Sequence, residues 1–293
     1  MPFPCIFQMQ HHNGANNPCE LRVLQAKGVS WEELAALIAA HDAALSSGEG
    51  VLKDGRRTAV TRLRCGDVWL CVKEYRPVGL VDRIKDRLRG SRAGRAWKGA
   101  KYLSAHGIAT PETVGLVKRN EKSYLVTSFI DGATPLDLLL RNRFSGALGQ
   151  AEVAHKRTMV RQLGKWLRRV HDLGLYHDDW SSKNILVSQN GYEWIFRFVD
   201  MESVQARKRL TYRRRVKNLG QLSKAPFGIT RTDRMRFLFA YAGDDSTLTR
   251  GPFPRDVLAA ARRREERSQK IRAKARKRKV KRMQKMAKAS RNS

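Results

Sequence analysis

Tyr176-His177-Asp178-Asp179-Trp180-Ser181-Ser182-Lys183-Asn184-Ile185-Leu186-Val187 has the form H-x-D-x-x-x-x-N and then turns apolar. It closes a helix-like pattern and opens a short strand. Sixteen residues past Asn184, the apolar run from Trp194 to Val199 delivers Asp200. A carboxylate, an amide five residues on, and a second carboxylate after the next strand is the order that phosphoryl transfer to a hydroxyl needs. On this reading Asp179 accepts the proton of the attacking hydroxyl. Asn184 and Asp200 hold Mg²⁺, a hard cation that takes oxygen ligands and bridges nucleotide phosphates. A polar loop with an unrelated acid at a later strand end would spell the same letters, because short motifs recur by chance.

A third component, upstream, decides between the two. The run Val68-Trp69-Leu70-Cys71-Val72-Lys73 predicts a strand that ends in a lysine, the position from which a kinase lysine grips the α- and β-phosphates of ATP. A lysine at a strand end is also a common surface residue. Lys73 lies about a hundred residues before Asp179 on a predicted antiparallel hairpin, which favours the phosphate role. No G-x-G-x-x-G is present. The residues Gly48, Gly50 and Gly55 predict a shorter turn, near Asp54 to Arg57, over the phosphates.

The chain has 293 residues, enough to bury a sizeable core. It carries 59 Lys and Arg against 27 Asp and Glu, a net charge of +32, which points to anionic partners such as nucleotide phosphates, nucleic acid or an anionic membrane surface. The four cysteines (Cys5, Cys19, Cys65 and Cys71) show no C-x-x-C pairing, as expected of reduced thiols in a cytoplasm. The first residues lack the pattern of a secretory signal, and no apolar run is long enough to span a bilayer.

Residues 1–45 are expected to be a loosely ordered leader, to about residue 29, followed by a helix opened by the capping box Ser30-Trp31-Glu32-Glu33. Residues 46–130 then read as a β-rich lobe and 131–250 as a mainly helical one. The strand Tyr124 to Ile130 with the break at Asp131-Gly132 is the expected hinge, against which an adenine base can lie. Residues 80–107 alternate basic and apolar positions, either a solvated helix face or a basic face that receives an anionic acceptor. Glu152 to Leu173 keeps a helical period, with His171 in a structural place near its end. Residues 251–293 form a basic tail. From Arg255 on it holds 17 Lys or Arg against three acidic residues and no sustained apolar stripe, which predicts a solvated helix or disordered arm remote from the motif residues. That arm suits anionic phospholipid or, less well, RNA.

With these residues in place the chain resembles the bacterial lipopolysaccharide kinases, which phosphorylate 3-deoxy-manno-octulosonic acid (Kdo) or heptose of the inner core. The resemblance covers roughly residues 50–243. It rests on Val72-Lys73-Glu74-Tyr75, Ser91 to Trp97, Gly107-Ile108-Ala109-Thr110-Pro111, the H-x-D-x-x-x-x-N loop, Val199-Asp200-Met201-Glu202 and Thr230-Arg231-Thr232-Asp233-Arg234. It implies an α+β, two-lobed protein-kinase-like fold, with ATP and Mg²⁺ as cofactors and a lipid-linked anionic sugar as acceptor. Lys73 would bind phosphates, Asp179 would be the base, and Asn184 and Asp200 the metal ligands. The implied place is the cytoplasmic face of the inner membrane, held peripherally through the basic tail.

Three positions depart from the protein-kinase pattern. Asp178 stands where many such enzymes have an arginine that senses a phosphorylated activation loop. Glu202 replaces the glycine of D-F-G, which predicts a less mobile metal loop or a second carboxylate beside it. The segment after Tyr75 offers only Asp82 and Asp86 as partners for Lys73, neither in the Arg-Ala-Trp helix. Only 93 residues follow Asp200, too few for the helical subdomain of a peptide-substrate kinase. An atypical Ser/Thr kinase, or a weakly active kinase-like module that binds RNA or membrane, stand as the alternatives.

Overall fold

A computed structural model of the chain describes residues 21–223, 228–245, 248 and 251–289. Most of the expected leader, with Cys5 and Cys19, lies outside these residues. The chain divides into two compact units, one of residues up to Thr134 together with Asn184–Ala206, the other of Pro135–Lys183 together with residues from Arg207 on. In order, the elements are β1 (Leu21–Ala26), α1 (Trp31–Ser47), β2 (Val51–Asp54), β3 (Thr58–Cys65), β4 (Val68–Tyr75), α2 (Leu80–Arg89), α3 (Arg92–Ala105), β5 (Thr113–Arg119), β6 (Lys122–Ser128), β7 (Thr134–Pro135), α4 (Leu136–Phe144) and α5 (Gln150–Asp172). Then follow β8 (Leu175–His177), β9 (Ile185–Asn190), β10 (Glu193–Phe198), β11 (Val204–Ala206), α6 (Tyr212–Leu222), α7 (Arg231–Ala242) and α8 (Phe253–Ala289). None of the described helices is long and apolar enough to cross a membrane.

The first unit is built on a six-stranded sheet of order β1-β5-β6-β4-β3-β2. Residues 21–26 were expected to be part of a loose leader. Instead they form β1, antiparallel to β5 with Val23 opposite Val117. An exposed sheet edge offers backbone partners to any extended segment, so this strand needs no side-chain alternation to form. Helix α1 starts as its sequence predicts: Ser30 Oγ accepts the Glu33 N–H at 3.2 Å and Glu33 Oε2 accepts the Ser30 N–H at 2.7 Å. Its Leu34, Leu37 and Ile38 bury against Leu70, Val72, Val117, Tyr124 and Val126 of the sheet. The helical stretch expected over 80–107 is broken at Gly90-Ser91 into α2 and α3.

Strand β4 separates two environments, because neighbouring side chains point to opposite faces. Leu70, Val72 and Glu74 face α1, and Glu74 is fully buried there. Its carboxylate is met by Arg76 Nε at 2.6 Å, Lys122 Nζ at 2.7 Å and His41 Nε2 at 3.6 Å. His41 Nδ1 in turn lies 2.7 Å from Thr61 Oγ1. Lys73 faces the other side.

The second unit is helical around α5, whose Met159, Val160, Leu163, Leu167 and Val170 are buried. Buried Lys156 Nζ meets the Asp233 carboxylate at 3.1 Å. Asp233 also completes the capping box of α7 with Thr230. The Thr230 to Arg234 segment is therefore a helix start and a buried ion pair. His171 is buried, with Nδ1 2.8 Å from the Tyr241 hydroxyl. Burial first, and then the Arg215 charge, push its pKa down to about 3. It is a neutral core residue, as its position predicts.

Glu74 gives this fold a pH signature. Burial opposes its charge, but His41, Lys122 and Arg76 outweigh burial and hold its pKa down at about 2. The stabilisation, about 3 kcal/mol, is complete above the ordinary glutamate range and is lost as pH falls through about 4 toward 2. Glu74→Gln is expected to lower stability at neutral pH by that amount and to flatten the acid limb, measured by urea unfolding across pH. Equal unfolding curves at pH 7 would exclude this role.

Candidate active site

Lys73, Asn184 and Asp200 all belong to the first unit. Lys73 Nζ donates to Asp200 Oδ1 at 2.8 Å, with both side chains largely shielded from solvent. Burial works against the Lys73 charge, yet the Tyr75 phenol and the Asp200 and Glu202 carboxylates hold its pKa above that of a free lysine. The antiparallel pairing of β9 with β10 sets Phe198 opposite Ile185, and the Val199 N–H donates to the Asn184 carbonyl at 3.2 Å. Asn184 and Asp200 are thus carried at the same end of one hairpin. Their side chains offer oxygen donors, the chemistry that Mg²⁺ takes.

Three contacts hold this hairpin in the first unit. The Thr110 hydroxyl donates to the Phe198 carbonyl at 2.9 Å, which gives the Gly107 to Pro111 segment a structural task. Gly99 of α3 faces the Met201 carbonyl so closely that a Cβ there would collide with it. Arg92, at the start of α3, grips Glu202, with Nη2 2.6 Å and Nε 3.1 Å from Oε1. The Lys73 ammonium and the Arg92 guanidinium both lie over the buried Tyr75 ring, 5.0 Å and 5.1 Å from its centroid.

The expected gap beside Lys73 therefore closes in an unexpected way. Helix α3 supplies no carboxylate. It supplies Arg92, and the carboxylate sits after Asp200 as Glu202. The ion pair that fixes helix to site is present with its charges exchanged. The turn predicted to cover phosphates is the β2–β3 connection, pinned where Arg76 Nη1 donates to Asp54 Oδ1 at 2.8 Å and to the Gly55 carbonyl at 3.1 Å.

Asp179 belongs to the second unit, where its loop is fastened from α6. Asn218 Nδ2 donates to the His177 carbonyl at 2.8 Å, and Gln221 Nε2 to the Asp178 carbonyl at 2.8 Å. Gln221 Oε1 accepts the Trp180 N–H at 3.2 Å. Inside the loop, the Asp179 N–H donates to His177 Nδ1 at 3.1 Å. The Trp180 ring is buried among Trp166, His171 and His177. Sequence reasoning missed Asn218 and Gln221. The signal was two polar residues, three apart, on the face of α6 that also carries Leu219 and Leu222.

The tail expectation needs correction. Helix α8 starts docked, with Phe253 and Val257 buried and the Tyr212 hydroxyl donating to Asp256 at 2.7 Å. Gly220 lets α6 and α8 touch, since a Cβ there would lie 2.8 Å from Ala260 Cβ. One turn further on, Arg264 Nη2 donates to Asp179 Oδ1 at 2.9 Å. The first part of the arm is therefore neither solvated nor remote from the motif. The short residue Ala260 and the backbone at Ala261 make the close approach to Gly220, which is why no long stripe of large apolar side chains announces it.

A two-unit fold with a lysine–aspartate pair and an H-x-D-x-x-x-x-N loop is that of a kinase, an enzyme that moves phosphate to a hydroxyl. The chain belongs to the lipopolysaccharide kinase (Kdo/WaaP) family, whose model matches residues 51–241. Among solved structures it is similar to that of WaaP in complex with acyl carrier protein, with a TM-score of 0.52 and 19% identity over 75% of this chain and 92% of that one. A structure of aminoglycoside-3'-phosphotransferase of type VIII aligns with a TM-score of 0.45 and 17% identity, over 74% of this chain and 97% of that one. A comparison with curated protein sequences found no match.

Two outcomes test the supports. Gln221→Leu removes the contacts that Gln221 makes to the Asp178 carbonyl and the Trp180 N–H, and is expected to lower kcat about 10- to 100-fold while the KM for ATP stays put. Unchanged kcat would reduce Gln221 to a packing residue. Ending the chain after Pro254 removes Val257, Asp256 and Ala260 from the second unit and is expected to cost about 2 kcal/mol in thermal unfolding. Ending it after Gln269 should cost almost nothing.

Proposed function

We propose that this kinase uses ATP and Mg²⁺ to phosphorylate a sugar hydroxyl, of Kdo or heptose, in the lipopolysaccharide inner core. The observation that carries this reading is the Lys73–Asp200 pair at 2.8 Å, with Asn184 at the same hairpin end, in a chain of this family. In the reaction the acceptor oxygen bonds to the γ-phosphorus, the bridging P–O bond to ADP breaks, and the hydroxyl proton leaves for a base. Asp179 takes that proton. Lys73 holds the α- and β-phosphates and, with ATP bound, exchanges its contact with Asp200 for them. Asn184 and Asp200 would hold Mg²⁺, which when bound would supply positive charge against the phosphates. Arg92 and Glu202 keep the Asp200 turn in place, so that catalysis is positioning and charge neutralisation.

The acceptor is lipid-linked, so the protein works at the cytoplasmic face of the inner membrane. The exposed Arg267, Lys270, Lys274, Arg276 and Lys277 of α8, beyond its docked turns, support an anionic phospholipid surface as its partner over RNA, since each Lys or Arg near such a surface adds about 1 kcal/mol.

The test offers the purified chain, with ATP and Mg²⁺, Kdo-lipid A, heptosylated core and a generic protein substrate. Phosphate is expected on one of the sugars. Asp179→Ala and Asp200→Ala are each expected to lower turnover at least about 10²- to 10⁴-fold with folding intact. Transfer to serine or threonine of the protein substrate, with none to sugar, would replace this reading by that of an atypical protein kinase.

A further inference from the structure

Helix α2 is turned inside out. Its ten residues include no buried one, and the apolar side chains point away from the fold: Leu80 is 73% exposed, Val81 63%, Ile84 55% and Leu88 81%. The polar residues make the attachment. Asp82 Oδ2 accepts the Val78 N–H at 3.1 Å and pairs with Arg57 at 3.4 Å, and Asp86 pairs with Arg95 at 3.4 Å. A helix on a water-soluble surface normally does the opposite, with its apolar stripe on the core.

The order around the helix is more specific than exposure alone. At about 100° per residue, Leu80, Ile84, Leu88 and Val81 share one arc of about 100°. Arg87 and then Arg83 follow that arc on one side and Lys85 on the other, with Arg89 further round beside Asp82. Asp82 and Asp86 lie opposite. Cations at the edges of an apolar strip, with acids confined to the far side, suit a helix lying in a bilayer interface, where long basic side chains reach the headgroups while their stems follow the acyl chains.

We propose that α2 is a membrane-surface helix, which buries Leu80, Val81, Ile84 and Leu88 in the interface of an anionic phospholipid bilayer. The inference rests on the membrane-face reading of the preceding section, and assigns the contact to the first unit, independently of the basic arm. The charge complementarity of Lys85, Arg87 and Arg89 chooses the occupant, while Arg83 pairs with Glu121 at 3.2 Å. A protein partner is disfavoured by size, because a stable protein interface takes about 800 Å² from each side and a three-turn helix presents less.

Charge attraction and apolar insertion separate with salt, since at about 1 M the Debye length falls to about 3 Å. The experiment is flotation of the full chain with vesicles of phosphatidylethanolamine and phosphatidylglycerol, at low and high salt. The unaltered protein should keep part of its binding at high salt. The Leu80→Gln, Ile84→Gln, Leu88→Gln triple variant should lose that part, with a partition coefficient about 100-fold lower. Its melting temperature should not change, as the three side chains are solvent-exposed. In an Ile84→Trp variant, lipids with brominated acyl chains should quench emission beyond the loss seen in the unaltered protein. Equal binding by the triple variant at both salts, or no added quenching, overturns the α2 assignment and leaves the membrane role to the arm. If the unaltered chain binds no vesicles, the membrane-face reading falls together with the inference. Sugar phosphorylation in detergent would then still stand for the kinase.

Discussion

The contact between Lys73 and Asp200 joins β4 to the turn that follows β10, and the residues around it fix one partner or the other. Lys73 is fixed through the strand that carries it. Because β4 alternates its faces, the geometry that aims Lys73 at the site also drives Glu74 into the core under α1. A carboxylate is costly there unless it is paired, and Arg76, Lys122 and His41 supply the pairing. Asp200 is fixed by the residues that follow it. Met201 lies against Gly99, and Glu202 is held by Arg92. Strand β4 and the turn that carries Asp200 are thereby anchored on opposite faces of one sheet.

The charge balance explains why the ion pairs take this form. With 59 cationic side chains against 27 acidic ones, carboxylates are the scarce component. Acids, buried and exposed alike, find cations: Asp233 meets Lys156 and Arg236, Glu202 meets Arg92, Asp172 meets Arg168 and Arg215, and Asp179 meets Arg264. A protein-kinase arrangement would spend another carboxylate on α3 to hold Lys73. Here the helix contributes an arginine, of which the chain has many, and the acid sits in the turn after Asp200. The mechanical result, α3 tied to the site, is the same.

Much of this was legible in the sequence because it depends on local pattern. The capping box at Ser30, the strand ending in Lys73, the α5 period and the H-x-D-x-x-x-x-N loop each depend on residues close together in the chain. What was not legible depends on distant partners. β1 exists because β5 has a free edge. Asn218 and Gln221 are ordinary helix residues until a loop some forty positions earlier lies against them. Arg264 is one arginine among seventeen basic residues in its segment, and only the approach of Ala260 to Gly220 singles it out. The tail was misread for a related reason: beyond the buried Phe253 and Val257 its contact falls on alanine, which shows almost no hydrophobic signal.

Composition also hides the difference between two kinds of basic helix. Both α2 and the far part of α8 are dense in Lys and Arg, and their sequences invite the same description. In α8 Phe253 and Val257 point inward, and beyond Arg264 the exposed apolar residues Ile271, Val280 and Met283 are scattered among exposed basic ones. In α2 the inward side is acidic and the outward side apolar. Electrostatic attraction acts over about a Debye length and fades with salt, whereas burial of apolar surface acts at contact and persists. A chain that carries one element of each kind can be drawn to an anionic surface by the first and seated on it by the second. The second would act on the unit that carries Lys73 and Asp200, because α2 belongs to that unit.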